Sequence, residues 1–151
     1  MFRTLVIGAV SALALSTAAF AQQGSSPREA RAMLDKAVAA VKRDQAVALA
    51  TFLKGEGGFL DRDLYPFCFR NADGKLLVSP KAVPAGTDIR SLKDANGSAY
   101  GEAIYAAGQK SEVAEVRPYL FPKPGTTTPT FPKISFVTKV GELGCGVGYY
   151  K

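Results

Sequence analysis

The sequence predicts an α+β domain in which five antiparallel strands form one sheet with helices packed against it. Three observations indicate this fold class: an amphipathic helical pattern follows the N-terminal segment, strand-like segments fill the second half of the chain, and two of the connections are typical of tight hairpins. The chain has 151 residues, of which 47% are hydrophobic and 21% charged. This length and composition fit a single globular domain.

The first 21 residues are typical of a secretory signal peptide. Arg3 precedes an uncharged apolar stretch, Leu5–Leu15, and the segment ends in Ala19-Phe20-Ala21, which matches an A-x-A cleavage site. The alternative is a transmembrane anchor, but the strongly apolar part is about half of the ~20 residues that a span requires. We therefore expect cleavage after this motif, leaving a periplasmic or secreted domain of residues 22–151 that is not embedded in the membrane.

The mature chain is expected to begin with a long helical region. Ser26-Pro27-Arg28-Glu29 forms a capping box with proline at the first helical position. Apolar residues then recur every three or four positions as far as Phe52 and Leu53, and Gly55 provides a stop. The pattern predicts either one helix from Pro27 to Lys54 or two helices with a break near Asp44.

The period changes from helical to strand-like after this region. The first hairpin is expected from Tyr65–Arg70 and Lys75–Ser79, with Asp-Gly in the turn. A polar connector and a short helix, Ser98–Gly108, form the crossover to the remaining strands. The last three strands are predicted at Glu112–Phe121, Pro132–Val140 and Leu143–Tyr150, and the final pair is joined by Gly141-Glu142.

The two cysteines fall in the first and last predicted strands. Export would place Cys68 and Cys145 in an oxidising compartment, where an even pair is usually bonded. The alternative is two buried thiols. A disulfide requires the two strands to be neighbours, because the α-carbons must lie within ~7 Å of each other.

Several function classes are excluded or disfavoured by composition. The chain contains no histidine, which excludes His-based metal sites, Ser-His-Asp triads and Cys-His dyads. No calcium-loop or catalytic motif is present, and we expect neither a cofactor nor an enzymatic activity. The net charge of +6 is spread along the chain without basic runs, so nucleic acid is not an expected partner.

Strand alternation suggests which side chains could line a ligand site. Glu115, Arg117 and Tyr119 are expected on one face of their strand, as are Lys133, Ser135 and Val137 on theirs. A small carboxylate is bound by cations, phenol donors and apolar walls. The candidate ligand-binding residues are Arg117, Lys133, Tyr65, Tyr100, Tyr119 and Phe67. The alternative is that Arg117 and Lys133 are ordinary solvated strand residues.

Three glycines alternate along the last strand. Gly144, Gly146 and Gly148 share one face, so another part of the molecule must approach the backbone closely there. The sequence leaves two occupants open, a ligand or the N-terminal helix, and we favour the helix.

Several short phrases carry a resemblance to a known family. They are Gly57-Gly58-Phe59, Asp63-Leu64-Tyr65-Pro66-Phe67, Asp73-Gly74-Lys75, Gly86-Thr87-Asp88-Ile89, Leu92-Lys93-Asp94, Pro132-Lys133-Ile134-Ser135-Phe136-Val137 and Gly146-Val147-Gly148-Tyr149-Tyr150. These phrases, in this order, resemble the single Cache domain family, the extracytoplasmic PAS-like sensory modules of bacterial chemoreceptors and sensor kinases. The resemblance implies a five-stranded PAS-like sheet with a long N-terminal helix on one face and a small-ligand pocket on the other. It also points to small organic acids as ligands.

The sequence departs from the family pattern in two places. Many relatives carry His-Pro at the end of the second strand, where this chain has Ser79-Pro80. Family sensors normally continue into a transmembrane helix and a cytoplasmic module, whereas this sequence stops at Lys151. We therefore expect any signal to require a separate membrane protein.

Two functions from different classes follow from the sequence. The first is a soluble periplasmic domain that binds a small organic acid and presents it to a membrane sensor or transporter. The second is a structural or protein-interaction module that has the fold without a ligand pocket, and an uncharacterised enzyme is a weaker third. A pocket where Arg117 and Lys133 converge would favour the first function, and one filled by Tyr and Phe side chains would favour the second.

Overall fold

A computed structural model describes residues 24–80 and 82–151, so the predicted signal peptide and its cleavage site lie outside the described residues. The helices are α1 (Pro27–Arg43), α2 (Gln45–Lys54) and α3 (Tyr100–Ala107), with one short 3-10 turn at Ile89–Ser91. The strands are β1 (Pro66–Arg70), β2 (Leu76–Val78), β3 (Ala114–Pro122), β4 (Thr130–Val140) and β5 (Leu143–Tyr150). None of the helices in these ranges is long and apolar enough to cross a membrane.

The helical region is divided in two at Asp44. The expected capping box starts α1: Ser26 Oγ accepts a hydrogen bond from the Glu29 backbone N–H, and the Glu29 carboxylate accepts one from the Ser26 N–H. Asp44 has an extended backbone, and its side chain accepts a hydrogen bond from the Val47 N–H at 3.1 Å. The two-helix alternative is therefore correct, because Asp44 ends α1 and caps α2.

The five strands form one antiparallel sheet in the order β2-β1-β5-β4-β3. The predicted adjacency of the first and last strands is confirmed. Cys68 lies opposite Cys145 in the register of β1 and β5, and the two residues form a disulfide with their α-carbons 4.2 Å apart.

Each face of the sheet has its own hydrophobic core. On one face, α1 and α2 pack against Cys145, Val147 and Tyr149 of β5. On the other, α3 and the connector pack against aromatic side chains of β1 and β3. The expectation that α1 covers the glycine face of β5 is wrong, because strand alternation points Gly144, Gly146 and Gly148 away from it.

The alternation predicted for β3 is also wrong. The register slips between Val116, which lies opposite Ser135, and Tyr119, which lies opposite Lys133. This bulge places Val116 and Tyr119 together in the buried face and leaves Arg117 exposed. Arg117 and Tyr119 therefore do not share a face.

Candidate functional site

Lys133 of β4 is a buried lysine on the face opposite α1. Lys133 is only 2% exposed, and its Nζ donates a hydrogen bond to the Tyr65 hydroxyl at 2.9 Å. The ammonium also lies over the rings of Tyr65, Phe121 and Tyr150, at 4.4, 4.9 and 5.2 Å from their centroids. These contacts are cation–π interactions, which partly replace the hydration that burial removes.

No ion pair compensates this charge within residues 24–80 and 82–151. Loss of hydration lowers the pKa of Lys133 from 10.5 to about 7, while the charge of Asp63 acts weakly in the opposite direction. A buried cation with one hydrogen bond retains donors that it can offer to an anion. The site therefore favours an anionic partner.

Two stacked tyrosines extend the site along β3 and α3. The rings of Tyr100 and Tyr119 are parallel, with centroids 4.3 Å apart, and the Tyr119 hydroxyl lies 2.7 Å from Ser135 Oγ. Burial raises the pKa of Tyr100 to about 12 and raises that of Tyr119 further. Burial also raises the pKa of Tyr65 well above its usual value. All three phenols are therefore neutral hydrogen-bonding groups at ordinary pH.

The glycines of β5 make room for these side chains. A β-carbon at position 148 would overlap Lys133 Cε and lie 2.6 Å from Ser135 Oγ, and one at position 146 would lie 2.5 Å from the Phe67 ring. Such distances are too short for carbon atoms, so any side chain here would displace its neighbours. The sequence indicated a close approach to this strand, but the approaching groups are site side chains rather than α1.

The buried cavity beside Lys133 is small. Its volume is about 20 Å³, which holds about one water molecule. Lys133, Phe67, Tyr100, Tyr119 and Phe121 line it together with Leu76, Pro80, Val83, Ile89, Leu92 and Ile104. Aromatic and aliphatic side chains together therefore fill most of the face on which a family member is expected to hold its ligand.

A larger cleft of about 430 Å³ adjoins this cavity. Its lining includes Tyr65 and Phe121, the C-terminal turn of α2, the end of β2 and the loop between β3 and β4. Among the residues that the structure describes, three lysine or arginine side chains line it, namely Lys54, Arg62 and Lys123, and no Asp or Glu does.

Five of the six predicted ligand residues are brought together. Lys133, Tyr100, Tyr119 and Phe67 line the small cavity, and Tyr65 reaches Lys133 from the cleft side. Arg117 is exposed on the β3 bulge and lines neither space.

Sequence reasoning missed two residues at this site. Tyr150 could have been found, since it alternates with Gly146 and Gly148 on the same face of β5. Phe121 could also have been found, since it alternates with Tyr119 beyond the bulge in β3.

Comparison with known proteins identifies the family. The model of the single Cache domain 2 family matches residues 1–150. The chain belongs to this family. No functionally curated protein matches the chain at a significant level.

Solved structures similar to this Cache domain include a methyl-accepting chemotaxis protein from Vibrio parahaemolyticus, at 20% identity and a TM-score of 0.63, covering 82% of this chain and 86% of that one. A periplasmic sensor domain of a chemotaxis protein matches at 24% identity and a TM-score of 0.59, covering 82% and 88%. A Cache chemosensory domain described by its carboxylic acid recognition matches at 22% identity and a TM-score of 0.56, covering 82% and 86%. These similarities confirm the expected PAS-like fold.

Proposed function

We propose that this Cache domain is an extracytoplasmic sensory module that binds a small organic acid, with Lys133 as the cation that receives the carboxylate. The observation that carries the proposal is the buried ammonium without an ion-pair partner in residues 24–80 and 82–151. A bound carboxylate would neutralise this charge and accept the hydrogen bonds that Lys133 leaves unused.

The surrounding groups support recognition of a carboxylate. Tyr65 already accepts a hydrogen bond from Lys133, so its own proton is available to donate to a ligand oxygen. The rings of Phe121 and Tyr150 hold the ammonium in place, and this preorganisation reduces the cost of binding. The similar Cache chemosensory domain that recognises carboxylic acid supports the same ligand class.

We propose binding rather than catalysis because the groups around Lys133 are phenols, one serine hydroxyl and apolar rings. The similarity to a periplasmic sensor domain supports an extracytoplasmic location. In this proposal a membrane sensor or transporter receives the ligand-bound domain.

The second candidate function is a protein-interaction module with a filled pocket. It is favoured by one observation, the cavity of about 20 Å³ beside Lys133, since aromatic side chains occupy the space where a ligand is expected.

The two functions are separated by measuring affinity for monocarboxylates of two to nine carbons by isothermal titration calorimetry. We expect binding, and we expect Lys133→Met to lower the affinity by about tenfold to a hundredfold, because a hydrogen bond to a charged group contributes about 1.5 to 3 kcal/mol. Lys139→Met is the matched control, since Lys139 is an exposed lysine of the same strand. No binding of any acid, or equal binding by wild type and Lys133→Met, would contradict the proposal and favour the interaction module.

A further inference from the structure

The volume beside Lys133 limits what the buried cavity can hold. At about 20 Å³ the cavity accommodates roughly one water molecule, and a carboxylate with its attached carbon chain is larger. The cavity walls are packed side chains, so a whole acid molecule could enter only by displacing them. If an acid binds with its carboxylate at Lys133, the carbon chain of that acid must therefore lie outside this cavity.

The cleft of about 430 Å³ lies next to the same lysine. Lys133 does not line the cleft, but Tyr65 and Phe121 do, and the ammonium is 4.4 and 4.9 Å from the centroids of their rings. The same two rings therefore contact the ammonium and line the cleft. Phe121 also lines the small cavity, so it forms part of the wall between the two spaces.

The lining of the cleft suits an amphipathic anion. Leu53 and Leu60 line it and are 62% and 55% exposed, so their apolar side chains are accessible to a ligand. Arg62 forms ion pairs with Glu29 and Asp61 and Lys123 forms one with Asp63, so carboxylates outside the lining hold these cations in place. The volume falls within the range of ligand pockets, about 300 to 1,000 Å³.

We propose that the cleft takes the apolar body of the ligand, and that the ligand is therefore a monocarboxylate with an extended apolar body, such as a medium-chain or aryl-substituted acid, whose carboxylate passes between the rings of Tyr65 and Phe121 to meet Lys133. This inference rests on the proposed function and names its ligand class. It predicts that affinity depends on the length of the acid and on the walls of the cleft.

The test measures the affinity of the protein for propionate, hexanoate and 3-phenylpropionate by isothermal titration calorimetry. We expect affinity to rise about twofold to fourfold for each added methylene, since each buried methylene contributes about 0.8 kcal/mol. Leu60→Asn, which makes a cleft wall polar, should lower the affinity for 3-phenylpropionate about fivefold and leave propionate nearly unchanged. Val47→Asn is the matched control, because Val47 is 61% exposed on α2 but does not line the cleft.

The possible outcomes separate this inference from the proposed function. If affinity is the same for all three acids and insensitive to Leu60→Asn, while Lys133→Met abolishes binding, the apolar body of the acid lies outside the cleft and the inference is wrong although the proposed function holds. If Lys133→Met leaves every affinity unchanged, both are wrong. A steep dependence on length that Leu60→Asn reduces and Val47→Asn does not would establish the cleft as the site of the ligand body.

Discussion

At the scale of single residues, the chemistry of the site centres on Lys133. A strand lysine is ordinarily solvated, yet this one is 2% exposed, contacts three aromatic rings and donates a hydrogen bond to the hydroxyl group of one of them. The sequence predicted correctly that Lys133, Ser135 and Val137 share a face, and in the structure this face is the one opposite α1. It could not decide between burial and solvation, because that depends on the rings of Tyr65, Phe121 and Tyr150, which come from distant parts of the chain.

Burial of this lysine makes stability dependent on pH. The pKa of Lys133 is about 7 in the folded domain and near 10.5 when the chain is unfolded. Between these values the unfolded chain holds a proton that the folded domain lacks, so the free energy of unfolding rises with pH, by at most about 1.4 kcal/mol per unit. Below pH 7 both states are protonated, and this rise is absent.

We expect the thermal midpoint of the wild type to increase between pH 7 and pH 9 relative to that of Lys133→Met, measured by circular dichroism without ligand. The buried tyrosines do not interfere, since burial keeps the pKa values of Tyr65, Tyr100 and Tyr119 above this range. If the thermal midpoints of the two proteins change with pH in the same way, Lys133 keeps an ordinary pKa.

At the scale of secondary structure elements, the site depends on the alternation of two neighbouring strands. β4 directs Lys133 and Ser135 toward the face where β5 presents Gly148, and the glycine leaves space for both side chains. β3 is the exception, because its bulge turns Arg117 outward and brings Tyr119 to the site. A one-residue slip in register is invisible to a period-two pattern, which explains why the prediction that Arg117 and Tyr119 share a face was wrong.

Gly148 of β5 provides a test of this arrangement. We expect Gly148→Ala to destabilise the domain by about 1 to 3 kcal/mol, because the added methyl group overlaps the Lys133 side chain. It should also weaken acid binding by displacing the ammonium. Both effects are measured by urea denaturation and calorimetry.

Gly24→Ala is the control for this substitution. A β-carbon at position 24 meets only Asp63 Oδ2, at an ordinary 3.8 Å, so stability should be nearly unchanged. Equal stability of Gly148→Ala and Gly24→Ala would show that the lysine does not occupy the space above β5.

At the scale of the whole molecule, two cores are held on one sheet. The disulfide joins β1 to β5 and closes a loop with a sequence separation of 77 residues, which contributes roughly 4 to 5 kcal/mol in the chain-entropy model. The bonded cysteines pack in the core beneath α1 and α2, and the site lies on the opposite face. The rigid helical side thus supports a site built from the other side of the same strands.

Much of this architecture was predictable from the sequence. The capping box of α1, the hairpin turns and the strand neighbours of the cysteines all follow from local patterns or from the redox compartment. The volumes of the small cavity and of the cleft could not be predicted from the sequence. The cleft is formed by segments around residues 53, 62, 80 and 123, and no local pattern specifies how closely such distant segments approach.

The measurement that tests the account most directly is the number of protons taken up when an acid binds. Calorimetric titration with 3-phenylpropionate at pH 8, in buffers of different ionisation enthalpy, gives this number. Because a Lys133 with a pKa of about 7 is mostly neutral at pH 8 and must be charged to hold a carboxylate, we expect uptake of about one proton per ligand by the wild type. Binding with the same heat in every buffer would show that no proton is taken up and would contradict a Lys133 that is neutral before the acid binds and charged afterwards.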